Sequence, residues 1–348
     1  MREIINMKPR RTWLFVAGAD PSAHAAAARS GADVLIHELE DFTPPGLRPR
    51  ARKLAPALYE QWRSTGAIVA VRINPFETEG RDDLDAVMAG RPQAVLMSKV
   101  AAPRQVKALE AAVAKLEKKH RIPAGSTELV PNVETAAGLM RTYDIAKASP
   151  RVKALLVASE DMVADLGTER SRDGIELAYV RARFLVECRA AGVEAIDCPY
   201  TFSDLRGARA DALQAKRLGY RAKSLVSPSH ARALNRVFSP QKKEIEHARK
   251  VVREFEKARA AGKERALVDG ALIEVPSTPQ PSACSTGSAR PRVSRAGEPR
   301  VGDDCSEVHD AQGSFGQRQL PGESGVRPPT HHALGEVEED VMLDHWKV

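Results

Sequence analysis

The chain has 348 residues, 43% of them hydrophobic, a formal charge of +7 and four cysteines. That length buries a sizeable core as one large domain or two ordinary ones. With no apolar run of eighteen residues and no long apolar N-terminal segment, it predicts neither a transmembrane helix nor a secretory signal. Cys188, Cys198, Cys284 and Cys305 show no CxxC pairing and no zinc spacing, which fits a reduced, cytoplasmic protein with unpaired thiols. The basic excess is spread along the chain, interleaved with acids and poor in aromatics, so it argues for a pocket for a small polyanion and against nucleic-acid binding.

Eight short β-rich runs follow one another: TWLFVAG (12–18), DVLIHEL (33–39), AIVAVRIN (67–74), AVLMSKV (94–100), ELVPNVE (128–134), ALLVASE (154–160), EAIDCPY (194–200) and AKSLVS (222–227). Helix-length Ala-, Leu-, Lys- and Arg-rich stretches separate them. The first has clear punctuation: Asp20 as cap, Pro21 at the first helical position and Gly31 as stop. Eight strand–helix units predict a parallel α/β architecture, either an open doubly wound sheet or a closed (β/α)8 TIM barrel. The barrel is favoured, because about 250 residues suffice for one and the strand ends are polar. Glu40 and Asp41, Arg72 and Asn74, Lys99, Glu134, Glu160 and Asp161, and Asp197 all lie where barrels collect active sites. Beyond the last strand, Ile245, Ala248, Val252 and Phe255 predict one apolar stripe on a charged helix. The expected division is a barrel over 1–260, a C-terminal segment over 261–276, and a Ser/Gly/Pro/Arg-rich tail over 277–348 that is expected to be disordered.

No Walker A loop, GxGxxG, GxSxG or HExxH motif is present, which leaves an acidic arrangement. Glu134 ends one strand and Asp161 follows the next. Neighbouring strands lie about 4.8 Å apart, so the two carboxylates can share one octahedral Mg2+ whose shell is completed by waters and substrate oxygens. Each acid alone reads equally as a helix cap or an ion-pair partner; the argument rests on the pair. Arg72 reads either as a clamp on a substrate carboxylate or as the partner of a buried acid such as Glu40, and both roles are compatible.

Several segments together resemble the HpcH/HpaI aldolase/citrate lyase family, in particular its citrate lyase β-subunit-like branch. RTWLFVAG from Arg11 matches the family's first-strand motif. ELEDFTPPGLRPRAR matches its D-L-E-D element, with Glu38 in place of the usual first Asp and Arg48 where Lys is common. VRIN (71–74), SKV (98–100), VETAAG (133–138), SEDMVADLG (159–167) and AIDCPY followed by LGYRAKSLVSP continue the match over about residues 10–276. The resemblance implies Mg2+ on Glu134 and Asp161. It implies Arg72 holding the 2-oxo or hydroxy acid portion of the substrate, with Glu40 beside it in the catalytic set. The reaction it implies is reversible carbon–carbon cleavage of a 3-hydroxyacyl thioester such as citryl-, malyl- or citramalyl-CoA. Arg48 and Arg52 are the matching candidates for coenzyme A phosphates, with a solvated helix face as the equal alternative.

The family also places an acid from a V-D-G-x-x-I-D-x-P segment into a neighbouring subunit. Here VDGALIEVP puts Glu274 at that position, which implies a homo-oligomer, a trimer or hexamer. The longer Glu side chain shifts the carboxyl by about 1.5 Å. Ser227-Pro228 stands where the family has His-Pro, with His230 nearby, and the tail departs from the family's last helix in a way that suggests a frameshift. Thioester hydrolysis, a free-acid aldolase and a catalytically weak ligand-binding subunit are the alternatives.

Overall fold

The computed structural model describes residues 9–274. Eight strands pair in chain order: β1 Thr12–Ala17, β2 Val34–Glu38, β3 Ile68–Ile73, β4 Ala94–Met97, β5 Glu128–Val133, β6 Ala154–Val157, β7 Glu194–Asp197 and β8 Ala222–Leu225. Every neighbouring pair is parallel, and β8 returns to β1 with Thr12 opposite Lys223. That closure excludes the open sheet and makes the fold the expected TIM barrel. Around it run α1 Pro21–Ser30, α2 Arg48–Ser64, α3 Gly80–Val87, α4 Pro103–Lys119, α5 Ala136–Leu139, α6 Thr142–Lys147, α7 Glu160–Leu166, α8 Ala178–Ala191, α9 Leu205–Leu218 and α10 Ala231–Phe238. Helix α11, Lys242–Ala260, precedes an antiparallel hairpin of β9 Ala266–Val268 and β10 Ala271–Ile273.

The first crossover shows why the chain turns where it does. The Asp20 carboxylate accepts from the backbone N–H of Ser22 and Ala23, Pro21 opens α1, and Gly31 closes it at φ 78°. Along each strand, alternate residues face inward. Trp13, Phe15, Ile36, Ala70, Leu96, Val130, Leu156 and Ile196 fill the barrel, while Leu14, Leu35, Val69, Val95, Leu129 and Leu155 pack outward against residues such as Trp62, Leu109, Val113 and Phe184. The inward residues form the barrel's own core, so the polar strand ends sit on a rigid platform.

Two expectations need correction. Asp197 does not join the strand-end cluster, because its register points it outward into the helix layer. There Arg181 grips it through Nε at 2.9 Å and Nη2 at 2.7 Å, and Lys223 Nζ lies 2.6 Å from both Asp197 and Asp211. Arg181 also reaches Asp211 at 2.8 Å. Two cations and two acids, all buried, neutralise one another, the condition under which buried charges are tolerated. The stripe on α11 is also narrower than its 3-4-3 spacing suggests. Val251 and Phe255 are buried, whereas Ile245 is 41% and Val252 39% exposed. The hairpin, with buried Ala266 and Val268, covers only a strip of the helix.

Candidate active site

The cluster is built around the end of β2. Glu38, the last strand residue, is fully buried, and its carboxylate folds back on its own loop: Oε1 accepts from the Glu40 N–H at 2.8 Å and Oε2 from the Phe42 N–H at 2.7 Å. Thr43 ties the same loop to β1, donating its hydroxyl to the Glu38 carbonyl and accepting from the Gly18 N–H. A Cβ on Gly18 would stand 2.4 Å from that carbonyl oxygen, so the glycine closing the first-strand motif is required by close backbone approach.

Arg72 enters from β3 opposite Glu38 and is almost wholly buried. Its Nε donates to Glu38 Oε1 at 2.8 Å, Nη1 lies 3.2 Å from Glu40 and 3.8 Å from Glu134, and Nη2 is 3.1 Å from Asp41. The guanidinium also lies over the Phe15 ring, 4.9 Å from its centroid. Burial alone would lower its pKa, but the surrounding carboxylates outweigh burial and raise it, so it stays a cation. Asn74, one turn of loop further on, donates to the Leu39 carbonyl and to Asp83, fixing the β2 and β3 ends together.

Glu134 follows β5, and Asp161 stands in the first turn of α7 just beyond β6. Neither oxygen of the buried Glu134 carboxylate has a hydrogen-bond partner. Burial raises its pKa to about 8; Arg72 opposes the shift, and the charges of Glu40, Asp161 and Asp41 reinforce it. Burial and Asp41 likewise raise Asp161, against Lys99 and Arg72. Lys99 bridges the mouth, its Nζ 2.9 Å from Glu40 and 3.9 Å from Asp161, on a backbone held at φ 54°. A left-handed lysine costs about 1–3 kcal/mol, a strain typical of functional positions.

Five carboxylates (Glu38, Glu40, Asp41, Glu134 and Asp161) thus face two cations. An anionic excess that includes two carboxylate oxygens accepting no hydrogen bond is a donor set that suits a hard divalent cation. Among the described residues no group of three or more His, Cys, Asp or Glu side chains converges into a closed cage. Two carboxylates with open positions suit Mg2+, which keeps several waters, and do not suit a structural metal. The donors fit, and Glu134 with Asp161 are the side chains able to hold it.

The remaining sequence candidates divide. Arg48 pairs with Glu79 at 2.7 Å and also donates to the Glu40 carbonyl; Arg52 binds Asp83 at 2.7 Å and Glu79 at 2.5 Å. Arg48 therefore ties the β2 loop to the start of α3, and Arg52 ties α2 to α3. Glu274 lies on the hairpin strand's end, paired with Arg265 at 2.9 Å and half exposed. Glu160 accepts from the Thr201 hydroxyl at 2.8 Å and forms an ion pair with Arg170 at 3.4 Å, and so fastens two mouth loops. His230 is buried against the Ser203 carbonyl, and Ser227 bonds Ser229. Cys188 and Cys198 are free and buried. No described helix is long and apolar enough to cross a membrane.

Sequence reasoning missed two residues. Glu38 registered only as a departure from a motif, although a strand-end acid opposite Arg72 signals an ion pair. Asn132, inward-facing on β5, is fully buried with neither amide atom partnered; an Asn two residues before Glu134, and so on the same strand face, was the available signal.

The chain matches the HpcH/HpaI aldolase/citrate lyase family over residues 11–228. It is 31% identical over 271 residues to citrate lyase subunit beta of Escherichia coli K12, covering 77% of this chain and 90% of the relative. It is also 31% identical over 268 residues to a (3S)-malyl-CoA thioesterase of Cereibacter sphaeroides, covering 76% and 90%. Among solved structures it resembles CitE from Mycobacterium tuberculosis in complex with magnesium, acetoacetate and coenzyme A. The TM-score is 0.62 at 26% identity, with 77% of this chain and 94% of that chain covered. The closed barrel, the strand-end carboxylates and these matches over most of the described chain place it, as a citrate lyase β-subunit-like protein, in the HpcH/HpaI aldolase/citrate lyase family.

Proposed function

We propose that the protein is a Mg2+-dependent lyase that reversibly cleaves the carbon–carbon bond of a 3-hydroxyacyl thioester of the citryl-, malyl- or citramalyl-CoA type. The products are an acyl thioester and a 2-oxo acid. The observation that carries this reading is the buried Glu134 carboxylate, which accepts no hydrogen bond and lies 3.8 Å from Arg72, in a chain related to a protein solved with magnesium, a keto acid and coenzyme A.

Glu134 and Asp161 hold the cation. When bound, Mg2+ supplies Lewis-acid polarisation of the substrate's hydroxyl or oxo oxygen. Arg72, held rigid by Glu38, directs its remaining hydrogen-bonding capacity to the substrate carboxylate. Glu40 keeps Arg72 and Lys99 in place and contributes negative charge beside the reacting hydroxyl. The hydroxyl proton passes to the Glu40 carboxylate, the carbon–carbon bond breaks with its electron pair passing to the acyl-thioester enolate, and the enolate carbon then takes a proton. Glu274 of a second copy is the proton donor in this reading: on its own chain it sits on the hairpin with only Arg265 as ion-pair partner among the described residues. The protein then works as a homo-oligomer, trimer or hexamer, in the cytoplasm. Arg48 and Arg52, the candidates for coenzyme A phosphates, are both already engaged with Glu79.

A second reading, thioester hydrolysis, is favoured by the (3S)-malyl-CoA thioesterase among the relatives. Incubation with citryl-, malyl- and citramalyl-CoA and Mg2+ separates the two. The lyase yields a 2-oxo acid with an acyl-CoA and no free thiol; a hydrolase yields free coenzyme A and the intact hydroxy acid.

A further inference from the structure

Asn132 carries an unexplained cost. Its side chain is completely buried, and neither Nδ2 nor Oδ1 has a partner. Leaving an amide unpaired in the interior costs about 1–3 kcal/mol, and an apolar side chain of the same size would avoid that. Its backbone is in order, the carbonyl accepting from the Val100 N–H at 3.0 Å, so the orphaned group is the side chain alone.

The barrel's stagger says what the amide faces. Inward side chains of alternate strands share layers. Phe15 on β1 registers through Ile36 with Ala70 on β3, yet its ring lies under the guanidinium of Arg72, two residues further along. The same two-residue advance carries Arg72 on β3, registered through Leu96 with Val130, to Asn132 on β5. Phe15, Arg72 and Asn132 thus belong to one layer, with Asn132 about 7 Å along the strand from Glu134. The orphaned amide and the Glu134 carboxylate, which accepts no hydrogen bond, occupy successive same-face positions at the end of β5.

We propose that Asn132 is a substrate-contacting residue that reads the oxygenated end of the acid. Its Nδ2 donates to a carboxylate oxygen, and its Oδ1 accepts from a hydroxyl on the adjacent carbon. An amide presents this donor–acceptor pair side by side, and a 2-hydroxy acid presents the complement. A 2-oxo acid lacks the O–H and satisfies only Nδ2. Asn132 therefore favours the uncleaved hydroxy acid over the oxo acid product, a discrimination that neither Arg72 nor the metal ligands supply. The assignment rests on the proposed function above and extends it to substrate class.

The test is equilibrium binding of lactate and pyruvate to the full chain with Mg2+, by calorimetry or ligand-observed NMR, for the wild type, Asn132→Leu and Asn132→Ala, with thermal unfolding measured in parallel. Two lost hydrogen bonds of ordinary strength correspond to about a tenfold or larger loss for lactate, and one to about a fivefold loss for pyruvate. Asn132→Leu should unfold at the wild-type temperature or higher, because it removes an unpaired buried amide. Asn132→Ala, which only deletes atoms, keeps the binding test available should the leucine not fit. Variants that bind both acids as the wild type does overturn the assignment and leave the amide facing trapped water. A wild type that binds neither acid with Mg2+ present overturns the functional reading, and the Asn132 assignment with it.

Discussion

Replacing Glu134 by Gln turns the site's electrostatic strain into a stability measurement. The carboxyl group titrates near 8 in the folded chain against an ordinary 4.5, because burial disfavours its charged form. A folded pKa raised above the unfolded one means that folding is unhindered at low pH and is penalised as pH rises from the unfolded toward the folded value. Glutamine has the same shape and does not titrate. Linkage over the interval from 4.5 to 8 therefore makes metal-free Glu134→Gln more stable than metal-free wild type by about 1 kcal/mol at pH 5, about 3 at pH 7 and about 5 at pH 9. Urea unfolding of chelator-treated proteins at the three pH values measures the difference, and the titrations common to both proteins cancel. Adding Mg2+ should narrow the difference at pH 7 and above, since the wild type keeps both carboxylate ligands. A stability difference that does not change between pH 5 and pH 9 refutes the reasoning.

Arg72→Lys keeps the charge but loses the fork that spans Glu38 and Asp41; it should lower kcat/KM by about 10²-fold or more, read from the pH-7 lyase assay. Arg181→Leu removes one cation from the buried Asp197–Asp211–Lys223 group and should cost about 3–5 kcal/mol in urea unfolding, because it leaves a buried acid uncompensated. A Cβ at position 80 would meet the Asn74 carbonyl oxygen at 2.0 Å. Gly80→Ala should therefore destabilise by about 2 kcal/mol or more, although alanine ordinarily favours a helix by about 1 kcal/mol; thermal unfolding reads the sign.

The barrel was legible because its signals are local and repeated. Apolar runs recur eight times, six of them ending in polar or charged residues, and the Asp20–Pro21–Gly31 punctuation of α1 appears in the structure as written. That Glu134, Asp161, Arg72 and Glu40 meet at one end of the barrel was legible for a related reason, since the strand ends of a parallel barrel gather at one face whatever the helices do. Facing direction was not legible. Asp197 ends its strand one register position away from the inward set, and only the partners Arg181 and Lys223, distant in sequence, reveal that it balances charge in the helix layer. The roles of Arg48 and Arg52 depended likewise on Glu79 and Asp83 arriving from α3. Glu274 was legible as a position only, because its proposed partner is another copy. The expected tail over 277–348 lies outside the described residues, and sequencing the locus tests the frameshift expectation directly.

The central claim is that Glu134 and Asp161 together hold Mg2+ for carbon–carbon cleavage. Calorimetric titration of Mg2+ into the wild type, Glu134→Ala and Asp161→Ala, with turnover of malyl- and citramalyl-CoA followed on the same preparations, tests it most directly. The account predicts saturable binding and 2-oxo acid release by the wild type, and loss of both in each variant. Mg2+ binding and turnover that persist unchanged in both variants would contradict it.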